Sequence, residues 1–482
     1  VLAALGGCDG VPYPMIDQPI PRNKVSDFFA KDFELPPYKP REEALARARH
    51  RVKPNQAFAA LGDGAAAFAG GQAEAWHASA AAAIGDMSGA ATGEAVSHAT
   101  DVDPLPHDYS TLELPIPIIA TDPNSGVTVG VMPVSVFREG DRITNIFAPQ
   151  ITWNQIDGYG ALFRMRRFFT DDSMLSIDAG STSNGAEDYD LQYKQNHFGP
   201  WDILLFNGRV RYITELSDRF YGLGSDSKVA DESSYTFRRA EANVGLGFQL
   251  PFSTRIEFAE LLSTSSVGPG RVSGLPSSID EFRDVKGMLD RVDLLGHKLT
   301  LTLDTRDRPE ATTDGVLFEG YYEIGDATLA SNVSFQKAGV SFSGVESYLD
   351  GILATAGRVS ARWTSGKNVP FYDQTSIGGK TTLRGFGDGR FVGKNGFVAG
   401  IEERWNVWQF RLKDTDLVLQ VAGFGEMGRI FGGGDPITVT TIQFDAGGAV
   451  RLIIPGSDKV VSLDVGVSKE GVETFLDLGY PF

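Results

Sequence analysis

From about Leu112 to the C-terminus, side chains alternate between apolar and polar at a period of two, run after run. That period belongs to strands, because successive strand side chains leave opposite faces. In Lys298–Arg306, Leu299, Leu301 and Leu303 share one face; Thr300, Thr302, Asp304 and Arg306 share the other. Val461, Leu463, Val465 and Val467 alternate with Ser462, Asp464, Gly466 and Ser468. The final run sets Val472, Thr474, Leu476, Leu478, Tyr480 and Phe482 against Glu473, Phe475, Asp477, Gly479 and Pro481. Each run is a ribbon with one apolar and one polar side. The runs span about 10–16 residues, against ~5–6 for a soluble strand and ~9–11 for a tilted strand that crosses a bilayer. Charged residues are expected to recur within them on a single face, as in Tyr235-Thr236-Phe237-Arg238-Arg239-Ala240-Glu241. A wet lumen tolerates such charges and a dry sandwich core does not. A closed barrel also leaves no unpaired strand edge in lipid. The pattern therefore predicts an all-β, antiparallel transmembrane β-barrel over residues 111–482.

Composition removes several competing classes. There is no run of about 18 apolar residues for a membrane-spanning helix. Acidic side chains outnumber basic ones 62 to 44, for a net charge of −18, which argues against a nucleic-acid partner. A single cysteine excludes an internal disulfide framework or a multi-cysteine metal site, and the His residues do not cluster at ligand spacing. Gly423-Phe424-Gly425-Glu426-Met427-Gly428 is formally GxGxxG, but the following Gly- and Pro-rich stretch cannot form the helix that motif needs. Gly378-Gly379-Lys380-Thr381 imitates the end of a phosphate loop, yet Gln374 stands where the first glycine belongs. With no HExxH or GxSxG either, the sequence predicts no catalysis, no cofactor and no metal.

The first hundred residues differ in kind. Leu5-Gly6-Gly7-Cys8 looks like the tail of a lipoprotein signal, so residues 1–8 are read as a signal remnant with Cys8 a candidate for lipidation; a lone cysteine in a Gly-rich stretch is the alternative. Residues 9–110 are first Pro-rich, then Ala- and Gly-rich, with few large side chains, which predicts short helices or irregular chain without its own core. A plug in the lumen, a periplasmic tether and disorder all remain open for this extension.

Short turns alternate with longer polar loops at 217–233, 268–296 and 366–395, as periplasmic turns alternate with extracellular loops. Counting runs from Gly126 onward gives sixteen or seventeen. Since bacterial barrels carry even numbers, sixteen is expected, at about 22 residues per strand and connection.

The loop at 366–395 contains Gly378-Gly379 followed by Leu383-Arg384-Gly385-Phe386. The next run carries Glu402-Glu403-Arg404, and the run after that Phe424-Gly425-Glu426-Met427-Gly428. In this combination the chain resembles the BamA/TamA-type superfamily of outer-membrane assembly and translocation barrels, the bacterial surface antigen family. Further echoes are Asp304-Thr305-Arg306-Asp307 before Gly315, Phe220-Tyr221-Gly222-Leu223-Gly224, and a terminal Phe482. The resemblance implies that the loop folds into the lumen with Arg384 at its tip. Strand alternation puts Glu426 on the lumen face with Gln420. A guanidinium can hold that carboxylate through paired charge-assisted bonds, so Arg384 is expected to pin the loop to Glu426. Phe424, Gly428, Glu402 and Arg404 complete the expected anchoring wall, Gly385 and Gly428 allow close backbone approach, and Tyr480 and Phe482 mark the closing strand.

The resemblance further implies an integral protein of the bacterial outer membrane that assists insertion or translocation of proteins or lipids there. Its expected partners are outer-membrane lipid or lipopolysaccharide, with client outer-membrane proteins or other envelope proteins, and a barrel monomeric in itself. Two departures stand out. The first ~110 residues lack the alternating strands and helices of the family's periplasmic POTRA modules, and Pro481 beside the terminal Phe either removes a ladder donor from the closing strand, weakening the seam of first and last strands, or marks a frayed end without a role. The alternative function is a passive narrow pore or the structural anchor of a surface complex.

Overall fold

The computed structural model describes residues 109–482, apart from 141, 309–310, 326, 328–330, 350, 413–414, 433–440, 454–459 and 482. The expectations for Cys8, the extension ahead of residue 109 and Phe482 lie outside the described residues.

Each strand pairs antiparallel with its neighbour in sequence. The series runs from β1 (Tyr109–Asp122) and β2 (Gly126–Glu139) to β20 (Val460–Ser468) and β21 (Gly471–Leu478), where β1 meets β21 and closes the cylinder. β3 (Arg142–Phe147) and β4 (Gln150–Asn154) both lie between β2 and β5 (Gly158–Thr170), so they are two halves of one interrupted strand. The nineteen segments of this sheet therefore make an eighteen-stranded barrel among the described residues. A separate hairpin, β15 (Thr375–Ile377) with β16 (Phe391–Gly393), sits inside the longest loop.

Eighteen strands correct the expected sixteen. From Gly126 onward the odd count is real, and parity is restored by β1, which the sequence disguises. Pro115 and Pro117 break its signature, since proline cannot donate to a ladder. In the structure Pro115 lies opposite Pro133 of β2. Neither carries an N–H, so this position is a non-hydrogen-bonded pair, and residues of the same parity on β1 direct their N–H groups toward β21. Prolines are tolerated there because that edge is barely used.

The period-two pattern resolves into a lipid face and a lumen face. Leu299, Leu301, Val340, Phe342 and Ile401 are exposed, while Lys298, Thr300, Thr302, Glu323, Glu402 and Arg404 are buried. In β9 (Ser233–Leu250) the charges do not all share a face: Arg238 is exposed, whereas Arg239 reaches the lumen and donates to Ser265 Oγ and Asp373. The three long loops emerge at the same end, which in bacterial barrels faces outward. There Phe220, Tyr235, Phe237 and Met288 pack with Phe371 of the longest loop in one apolar cluster. No described helix is long and apolar enough to cross a membrane.

Candidate functional site: a loop clasped inside the barrel

The site is built by one loop and one wall. The loop leaves β14 (Leu353–Ser365), turns inward and returns to β17 (Asn395–Leu412). Its wall is β14, β17, β18 (Thr415–Phe431), β19 (Gln443–Ile453) and β20, each of which offers charged side chains from its lumen face. Apolar packing brings the loop up to that wall. Leu383 and Phe386 are completely buried with Ile377, Phe391, Val398 and Ile430. Gly378 and Gly379 turn the chain at φ 115° and 94°, values an L side chain rarely adopts. Across this turn the Gly379 N–H donates to the Phe386 carbonyl at 3.0 Å.

Arg384 occupies the tip and is fully buried. Its Nη1 donates to Glu402 Oε2 at 2.6 Å and to Asp464 Oδ1 at 2.9 Å. Its Nη2 stands 3.2 Å from Glu426 Oε1, an ion pair without hydrogen-bond alignment, and its backbone N–H donates to Glu426 Oε2 at 2.8 Å. The guanidinium also lies over the Phe424 ring, 3.4 Å from the centroid, where a cation gains from the ring's negative face. Burial alone would lower the pKa of this guanidinium; Glu426, Glu402 and Asp464 more than offset it and hold the pKa above its ordinary value. The tip is thus gripped by three carboxylates from three strands, with Glu402 and Asp464 making the direct side-chain bonds and Glu426 gripping mainly the loop backbone.

Three further arginines complete the network. Arg451 donates to both oxygens of Glu402 at 2.7 and 2.9 Å and to Asp464 at 3.0 Å. Arg404 donates to Glu402 Oε1 at 2.7 Å. Glu402 therefore accepts four charge-assisted bonds, the full capacity of a carboxylate. Arg358 bonds Glu426 Oε1 at 2.7 Å and the carbonyls of Thr381 and Thr382, so it holds wall and loop together. The Gly385 N–H donates to Asp445 Oδ2 at 3.0 Å. Ordinarily such burial of charge is expensive, and it is offset here because Glu402, Glu426 and Asp464 each accept from at least one guanidinium. Close approach needs glycine on both sides: a Cβ on Gly385 would meet Asp445 and Ser468, and one on Gly466 would run into the Arg384 carbonyl. On Gly428 it would stand 2.9 Å from the Phe397 carbonyl of the next strand and 3.4 Å from the loop's Ile377.

The loop is held at a second place. Asp373 accepts from Arg239 at 3.1 Å, with Lys337 at 3.5 Å. Burial would raise that carboxyl's pKa; Lys337 and Arg239 hold it below the usual carboxylate range.

Arg358, Asp445, Arg451 and Asp464 were not singled out from the sequence. The available signal was a charge at an inward position of an apolar run, such as Arg451 between Val450 and Leu452, or Asp464 between Leu463 and Val465. Two expectations about the C-terminus change. β21 stops at Leu478, Gly479 turns at φ 87°, and Pro481 lies beyond the strand, where it removes no ladder donor. Tyr480 likewise leaves the closing strand and lies on the clasp, its ring centroid 3.9 Å from the Arg404 guanidinium and 4.9 Å from that of Arg451.

The Omp85 superfamily domain matches residues 154–457 of this chain. No curated protein sequence is similar enough to match it. Among solved structures, BamA from Haemophilus ducreyi lacking POTRA domains 1–3 is similar at 14% identity and TM-score 0.51, covering 75% of this chain and 74% of that one. CdiB from Escherichia coli is similar at 12% identity and TM-score 0.48, covering 79% of this chain and 64% of that one. The BamA likeness shows a shared fold: a closed antiparallel barrel with almost no helix. With a family domain over more than half its length and an eighteen-stranded barrel in the structure, the chain belongs to the Omp85 superfamily of integral outer-membrane barrels.

Proposed function

We propose that this barrel assists the insertion of proteins into the outer membrane and works at the seam between β1 and β21 rather than through its lumen. Members of the Omp85 superfamily are transport and insertion factors, which sets the general class. The observation that carries the finer reading is the seam itself. β1 pairs with β2 along its whole length but, among the described residues, with β21 only where Thr121 lies opposite Leu476. A strand edge with unused N–H and C=O groups is a template for another strand, and in lipid an unpaired edge is costly enough to favour accepting one. Inside the lumen, the clasp fixes the loop to β17, β18 and β20 rather than to β1. No nucleotide-binding motif is present in the sequence, so the driving energy comes from the client's own folding. The partners are then unfolded outer-membrane polypeptides and the surrounding lipid.

The experiment is a reversible lock. Residues opposed across antiparallel strands have Cα atoms about 4.5–5.5 Å apart, within disulfide range. The variant Thr121→Cys/Leu476→Cys in proteoliposomes, offered a urea-denatured barrel protein, should lose insertion on oxidation and regain it on reduction, read by heat-modifiable mobility of the client. If the oxidised barrel inserts the client as fast as the reduced one, the seam is not the working surface and the protein is a passive anchor or pore.

A further inference from the structure

The lumen loop does more than grip its own wall: a few residues past the clasp it reaches the seam. At the outer end of the barrel, the β1–β2 turn (residues 123–125) and the β20–β21 turn (residues 469–470) flank the place where β1 and β21 meet. The loop segment Gly387–Arg390 bonds to both. On the β1 side, Asn124 Nδ2 donates to the Asp388 carbonyl at 3.1 Å. On the β21 side, Arg390 grips Glu470 through Nε at 2.7 Å and Nη2 at 2.9 Å, a two-point, charge-assisted pair.

Arg390 is positioned as firmly as Arg384. It is 2% exposed and stacks on Tyr221 and Phe391, each centroid 4.4 Å from the guanidinium carbon. It also donates to Ser227 Oγ at 2.8 Å and to the Ser227 carbonyl at 2.7 Å. From outside the loop, Arg219 Nη2 donates to the Asn124 carbonyl at 2.7 Å and its Nε to Glu232 at 3.2 Å, which braces the β1–β2 turn. Between staple and clasp the chain is stiff, with Phe386 and Phe391 packed edge to face at 5.2 Å and Ile377 paired with Phe391 in the β15–β16 hairpin.

We infer that Asp388 and Arg390 staple the two sides of the seam together at its outer end, and that the loop is a crosspiece linking the clasped wall to the seam. Side-chain and turn bonds stand where backbone pairs are scarce, so the seam's resting state is set by the loop. Arg390 and Glu470 act as positioning residues for the opening event. The inference rests on the reading that the seam is the working surface only for its functional meaning; its structural content is tested separately.

The test uses the full chain in native-composition vesicles, with Thr121→Cys/Leu476→Cys as the reporter and the rate of copper-phenanthroline cross-linking as the readout. Adding Arg390→Ala or Glu470→Gln should slow cross-linking by about tenfold, the weight of one buried charge-assisted bond pair. Exchanging the pair, Arg390→Glu with Glu470→Arg, should recover part of that rate, which a merely structural defect would not. Barrel integrity is read in parallel by heat-modifiable mobility, and Glu470→Gln supplies the answer should Arg390→Ala fail to fold. Unchanged cross-linking in Glu470→Gln overturns the staple. Slowed cross-linking together with insertion that survives the oxidised lock upholds the staple and sinks only the insertion reading.

Discussion

β17 and β18 pair from Asn395 opposite Phe431 to Leu412 opposite Thr415, with one irregularity between Asn406 and Trp408, whereas among the described residues β1 and β21 meet only where Thr121 lies opposite Leu476. Behind the first pair lies the ion network of Glu402, Glu426, Asp464 and four arginines; the second pair is joined by two turn contacts to a loop. A closed barrel in lipid must satisfy its backbone somewhere. This one concentrates satisfaction on the wall that holds the loop and leaves the seam on a minimum of pairs. Closure and rigidity are thus separable: the same cylinder can be firm over most of its circumference and easily parted along one line.

That contrast can be broken at four points. Arg384→Ala should be the most damaging, because it leaves Glu402, Glu426 and Asp464 buried without their central cation; removing one partner from a buried pair costs about 3–5 kcal/mol. Urea unfolding in phospholipid vesicles measures it, and loss of protease protection of the loop should accompany it. Ile401→Pro comes next. Ile401 is 60% exposed on the lipid face but sits between two paired neighbours, Gly357 and Gly425, so a lost donor and a clashing ring should cost about 3 kcal/mol or more. Gly466→Ala should cost about 1–3 kcal/mol by overpacking against the loop backbone, with a weaker clasp at unchanged charge. The smallest effect is expected for Ile119→Pro, also at 60% exposure on the lipid face. Its N–H points to the sparse seam, so the cost should stay below about 1 kcal/mol. A large penalty for Ile119→Pro in the same unfolding assay would show that the seam is firmly paired and erase the contrast.

Much of this was legible in the chain. The alternation of Leu299, Leu301 and Leu303 with Lys298, Thr300 and Thr302 assigns each side chain to lipid or lumen, because only one periodicity suits a strand. Leu383-Arg384-Gly385-Phe386 and Glu402, Phe424 and Glu426 marked the loop tip and part of its wall. Less legible was β1, where Pro115 and Pro117 mimic a break in the pattern; a proline's acceptability depends on which neighbour its missing donor would have faced. Legible only in part was the clasp. Arg358, Arg451 and Asp464 look like single charges in separate ribbons, and nothing local says that they converge on one ion network around Arg384.

By itself, the sequence determined the class of element and the two faces of most strands, since these depend on neighbours within a few residues; the loop that turns inward was implied by the resemblance of Leu383-Arg384-Gly385-Phe386 to a family motif. Tertiary structure alone decided the number of strands, the partners of Arg384, the departure of Tyr480 from the closing strand and the reach of Arg390 to Glu470. Those are meetings between residues tens to hundreds of positions apart, and barrel register, rather than local chemistry, brings them within bonding distance.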